Sequence, residues 1–102
     1  RSPDQASHLP ANFVLHQNFP NPFNCSTNIR FDLNQDAHVS LSIYTIDGKH
    51  IFTLLDHSLK KGSYSHVWNG TSYDNSTVSS GIYLAKIEAN RQSETIQLIL
   101  VK

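Results

Sequence analysis

The residues able to do chemistry are dispersed along the chain. Six histidines, His8, His16, His38, His50, His57 and His66, form no H-x-x-x-H or H-x-H pair, so spacing alone brings no two imidazoles to one metal. They read as surface strand or loop residues. Cys25, the single cysteine, allows no internal disulfide, and with Ser26 and Thr27 beside it and no basic neighbour to lower its thiol pKa it reads as packed or inert. From Asp32 onward the acids Asp32, Asp36, Asp47, Asp56, Asp74, Glu88 and Glu94 contain no D-x-[DN]-x-[DN]-G loop. Asn69, Asp74 and Asn75 in one polar loop come nearest to a calcium site. Asn24, Asn69 and Asn75 head N-x-[ST] triplets, which a chain this rich in Asn, Ser and Thr produces by chance. Tyr64, Trp68, Tyr73 and Tyr83 have the flat faces that stack on sugars, but a lone Trp in an all-β domain reads as core. Catalysis requires a nucleophile, a base and an orienting group that converge, and no such set is visible. The expectation is a non-catalytic chain with no cofactor and no metal.

Composition bounds the partners. Eight basic residues balance eight acidic ones and 38% of residues are hydrophobic, which fits neither a disordered chain nor a basic field for nucleic acid. At 102 residues there is room for one domain with its own core. The longest apolar run, Leu98-Ile99-Leu100-Val101, falls far short of the ~18 residues of a membrane-spanning helix, and Arg1-Ser2-Pro3-Asp4 is not the start of a leader peptide. The chain therefore reads as a soluble domain cut from a longer protein. Arg1 to Asn12, polar and holding Pro3 and Pro10, reads as a linker to an upstream passenger domain.

From Phe13 onward, short β-branched and aromatic runs recur at intervals of about ten residues between Gly, Asn, Asp, Ser and Pro clusters. Phe13 to Asn18 is the first run. It stops at Phe19-Pro20-Asn21-Pro22-Phe23-Asn24, where two prolines forbid a continuous ladder and predict a non-regular crossing. In Asn28 to Leu33, residues Ile29, Phe31 and Leu33 alternate with Arg30 and Asp32. His38 to Ile46 turns Val39, Leu41 and Ile43 inward, and Asp47-Gly48 predicts a type I′ hairpin into His50 to Leu55. Tyr64 to Trp68, a polar loop from Asn69 to Ser80, Ile82 to Ala89, the turn Asn90-Arg91-Gln92 and Glu94 to Val101 complete about seven strands. The predicted fold class is all-β, an immunoglobulin-like antiparallel β-sandwich.

The order of the motifs carries more than any single residue. Asn18-Phe19-Pro20-Asn21-Pro22-Phe23-Asn24 is followed by Ser26-Thr27-x-Ile29-x-Phe31-x-Leu33 and by Val39-x-Leu41-x-Ile43-Tyr44-x-x-x-Gly48. Gly62-x-Tyr64-x-x-x-Trp68-Asn69-Gly70 and Ser80-Gly81-Ile82-Tyr83 come next, and Ile96 to Lys102 closes the series as an apolar strand capped by lysine. In this order the string resembles the C-terminal sorting domain of the type IX secretion system, over about Phe13 to Lys102. Cys25 departs from the pattern, since related tails usually carry proline after N-P-F-N.

The resemblance implies an immunoglobulin-like cargo tag, related to the Ig-like part of the flagellar hook-capping protein. Such a tag is recognised by the type IX translocon, moves from the periplasm to the cell surface or medium, and is commonly removed by a sortase-like peptidase. Carried over position by position, it assigns sorting roles to Gly48, Gly81, Tyr83, Ile99, Leu100, Val101 and Lys102. A last strand can also be read physically, by strand addition along its unpaired edge. Two other readings stay open on sequence alone: an accessory module binding carbohydrate or calcium through the loop around Tyr73 and Asp74, and a purely structural domain.

Overall fold

The computed structural model describes residues 13–102, so the expected linker at 1–12 lies outside the described residues. Seven strands follow in chain order: β1 (Phe13–Leu15), β2 (Thr27–Leu33), β3 (Ala37–Thr45), β4 (His50–Leu59), β5 (Gly62–Trp68), β6 (Gly81–Ala89) and β7 (Gln92–Leu100). They form two antiparallel sheets, β1-β2-β5 and β4-β3-β6-β7. The architecture is an immunoglobulin-like sandwich, as expected.

Alternation decides which face meets the other sheet. In β2 the buried positions are Thr27, Ile29, Phe31 and Leu33; β3 contributes Val39, Leu41 and Ile43, β6 contributes Tyr83, Ala85, Ile87 and Ala89, and β7 contributes Leu98 and Leu100. Each Val, Leu, Ile or Phe among them contributes about 1.5–3 kcal/mol by leaving water, so the interleaved rows hold the sheets together. Among the described residues no buried side-chain nitrogen or oxygen lacks a hydrogen-bond partner.

The turns differ from expectation in a regular way. At the β3–β4 hairpin only Gly48 has positive φ (93°); Gly48 N–H donates to Thr45 O (2.9 Å) and Thr45 N–H to Lys49 O (2.8 Å). That is a three-residue loop closed by a left-handed glycine, the type I turn with a G1 bulge, and not the expected type I′ turn. The type I′ geometry appears instead between β6 and β7, where Asn90 (φ 50°) and Arg91 (φ 71°) both have positive φ and Ala89 pairs with Gln92. Strand β4 also runs past Leu55 to Leu59: two register shifts against β3 break its alternation, and pairing with β3 carries it through exposed Asp56, His57 and Ser58.

Strands β5 and β6 open alike. Each begins G-x-Y, and the tyrosine hydroxyl donates to the carbonyl four residues upstream: Tyr64 to Lys60 O and Tyr83 to Ser79 O, both at 2.5 Å.

Candidate functional site

The motifs that stand apart in sequence meet at one end of the sandwich, around the last strand. Tyr83 is held by its hydroxyl bond to Ser79 O, and its ring meets Trp68 edge-on with centroids 5.5 Å apart. Trp68 is fully buried, donates from Nε1 to Thr71 O (2.9 Å), and meets Phe23 edge-on at 5.8 Å. Phe23, Trp68 and Tyr83 come from three different motifs, and edge-to-face rings of this kind add about 0.5–1.5 kcal/mol beyond their buried area. Leu100 lies in the same core cluster and is itself buried. Gly70 beside it takes a left-handed backbone (φ 72°), and an added Cβ would stand in ordinary contact with Leu100 Cδ2, at 3.8 Å, so backbone conformation and not space favours glycine there.

Strand β7 is the edge of its sheet, yet its outer side is occupied at residues 97–101. Phe23 pairs with Leu100 as a parallel bridge, its N–H donating to Ile99 O (2.9 Å) and its carbonyl accepting from Val101 N–H (2.8 Å). Asn21 Oδ1 accepts from Ile99 N–H (2.9 Å), and Gln97 O accepts from Gln17 Nε2 (3.1 Å) and Asn21 Nδ2 (3.5 Å). The proline-rich crossing is thus a strap laid along β7. It is anchored from behind: buried Asn18 donates to Thr27 Oγ1 (2.8 Å), Thr27 donates to Pro20 O (2.7 Å), and Phe19 pairs with Asn28. Its Phe19-Pro20 and Asn21-Pro22 peptide bonds are both cis.

Inward and outward positions separate cleanly along β7. Leu98 and Leu100 point into the core, while Val101 is 54% exposed and Ile99 stands on the outer face opposite Ile82 of β6. Exposed Lys102 is tied at its backbone, its N–H donating to Ser80 Oγ (2.9 Å). Of the residues singled out from sequence, Gly81, Tyr83, Ile99, Leu100, Val101 and Lys102 lie together here; Gly81 pairs with Leu100. Gly48 sits at the β3–β4 hairpin tip with open space around an added Cβ, so its part there is conformational. Gln17, Asn21, Phe23, Trp68, Gly70 and Ser80 join the site only through the fold, although all but Gln17 lie in the motif string.

No group of three or more His, Cys, Asp or Glu side chains is placed to hold a metal among the described residues. Asp74 accepts from Ser72 Oγ (2.5 Å) and Ser76 N–H (3.0 Å), and the Ser72 hydroxyl, first among these, lowers its carboxyl pKa to about 2. His16 stands 2.8 Å from Asp32, whose carboxyl pKa is lowered chiefly by that hydrogen bond. His38 pairs with Asp56, and His50 with Thr53. The four candidate stacking aromatics form no common platform: Trp68 and Tyr83 are buried, Tyr64 stacks on Phe31, and only Tyr73 is mostly exposed.

A family model described as the secretion system C-terminal sorting domain matches residues 17–102. The chain belongs to this family. The resemblance to the type IX sorting domain is thereby borne out. Sorting domains of this family are in general non-catalytic, and membership implies export to the cell surface or the extracellular space. No curated protein matches the chain. Among solved structures, dimeric latent PorU from Porphyromonas gingivalis is similar over 90% of this chain at 24% identity, with a TM-score of 0.71. PorZ from the same organism, a surface component of the type-IX secretion system, is similar over 86% at 18% identity and TM-score 0.60. The chain spans about a tenth of either protein, 10% and 11%. FlgD from P. aeruginosa is similar over 83% of this chain and 67% of its own, at 16% identity and TM-score 0.58. At these identities the likeness is one of fold. In the sorting domain described here, exposed Cys25 follows the strap, clear of every strap contact given above.

Proposed function

We propose that this domain is the sorting tail of a larger exported bacterial protein, a substrate of the type IX translocon and not itself an enzyme. The passenger lies upstream, crosses the periplasm with the tail attached, and is released or anchored at the surface when a sortase-like peptidase cuts between passenger and tail. The observation that carries the reading is the family match over residues 17–102, whose motifs the fold gathers around the end of β7. Gly81 and Tyr83 hold β6 beneath it, Gly48 shapes the neighbouring hairpin, and Ile99 to Lys102 are the residues a receptor would meet.

The test is a fusion of residues 1–102 to a periplasmic reporter in a host with a type IX system. Reporter on the cell surface or in the medium is expected, and full retention in the periplasm overturns the reading. The mass of the exported reporter reads the peptidase step, since an intact fusion after export removes cleavage from the proposal. Deleting Val101 and Lys102 separates signal from fold. Their side chains are exposed, but the deletion also removes the bonds from Val101 N–H to Phe23 O and from Lys102 N–H to Ser80 Oγ, so unfolding stability should fall by about 1–3 kcal/mol while the core stays folded and export is lost.

A further inference from the structure

An edge strand normally offers outward N–H and C=O groups, and partners that add a strand use those groups for affinity. In β7 the outward groups from Gln97 O to Val101 N–H are already taken. Asn21 is the unusual element, because its carboxamide meets Ile99 N–H with Oδ1 (2.9 Å) and Gln97 O with Nδ2 (3.5 Å), as the peptide group of a neighbouring strand would. Phe23 continues the line with its own main chain, bonding both Ile99 O and Val101 N–H. Removing the strap would break these bonds and expose Phe23, which is 3% accessible and packed on Trp68.

We infer that Asn21 is a positioning residue for the sorting signal: it fixes the register and direction of Ile99 to Lys102, so that a receptor reads their outward side chains instead of adding a strand along 97–101. The inference rests on the sorting-tail reading. The outward side chains are Ile99, backed by Ile82 (41% exposed), then Val101 (54% exposed) and Lys102. They form a short apolar strip ending in a cation, and its chemistry fits an apolar groove closed by an acidic group.

Asn21 is only half-buried, so replacing it leaves the core rows in place. In the reporter fusion, Asn21→Leu keeps the volume but removes both hydrogen bonds, and export should fall at least tenfold. Amide exchange on the same chain should quicken about tenfold at Ile99, with Leu41 and Ile87 unchanged. Asn21→Asp retains an acceptor for Ile99 N–H and should restore both export and protection, a rescue that loss of bulk packing would not give. Normal export of Asn21→Leu with Ile99 unprotected overturns the inference. Should Asn21→Leu not fold, the double variant Ile99→Thr/Val101→Thr decides. It keeps β-branched side chains and every backbone bond, so abolished export supports side-chain reading and wild-type export overturns it. Failure of the wild-type fusion to be exported strikes the sorting-tail reading instead.

Discussion

Gly62-Ser63-Tyr64 and Gly81-Ile82-Tyr83 open β5 and β6 with one device, a tyrosine whose hydroxyl reaches the carbonyl four residues back at 2.5 Å, but their surroundings differ. Tyr64 is half-exposed and lies flat on Phe31, ring centroids 5.4 Å apart at 20°, beside the Lys60-Lys61 turn. Tyr83 is 7% exposed and stands edge-on to Trp68, under the strand that carries Leu98 and Leu100. The corner itself is thus a general way to start a strand. What distinguishes the second is that the last strand, the strap and the buried tryptophan close over it. A G-x-Y motif marks the site only when the chain brings β7 to it.

The largest effect sharpening this contrast comes from truncation. Tyr83→Ala should cost about 3–5 kcal/mol in urea unfolding, the range for deleting a buried aromatic, and Tyr64→Ala about half that. Equal losses would make the two corners equivalent. Removing only the hydroxyls tests the shared bond: Tyr83→Phe and Tyr64→Phe should each cost about 0.5–1.5 kcal/mol, with the buried corner at the upper end. Smallest is a pH effect in the loop joining the corners. Asp74, held near a pKa of about 2 against an ordinary 3.8, contributes stability present above pH 3.8 and lost as pH falls toward 2. Asp74→Asn should therefore flatten the unfolding midpoint over that window, lowering it slightly at neutral pH and leaving it unaltered at the acid end, where the wild-type carboxyl is protonated as well. A wild-type acid profile in this variant would show that the loop's hydroxyl bonds do not couple to the fold.

Strand alternation was legible where one face is buried along the whole run, as at Ile29, Phe31 and Leu33 or Val39, Leu41 and Ile43. It gave out where pairing and burial part company. Past Leu55, β4 is held by its partner while Asp56, His57 and Ser58 face water, so the half-buried Leu59 that ends it stands as one isolated apolar position with no alternation leading to it. The Asp47-Gly48 turn departs from its expected type because Asp-Gly suits either loop length, and the strand register selects between them. At the site, the motif string located Gly81, Tyr83 and residues 99–102. The strap's task was hidden because its partners lie up to 80 positions away, as between Gln17 and Gln97, a separation no local pattern encodes.

That separation has an outcome for biogenesis. A polypeptide released from the ribosome before Gln97 has nothing for Gln17, Asn21 and Phe23 to grip, and contacts this distant along the chain are among the slowest to form. The seam can therefore serve as a mark of folding, present only on molecules in which Gln97 to Val101 have been made and have closed against the strap.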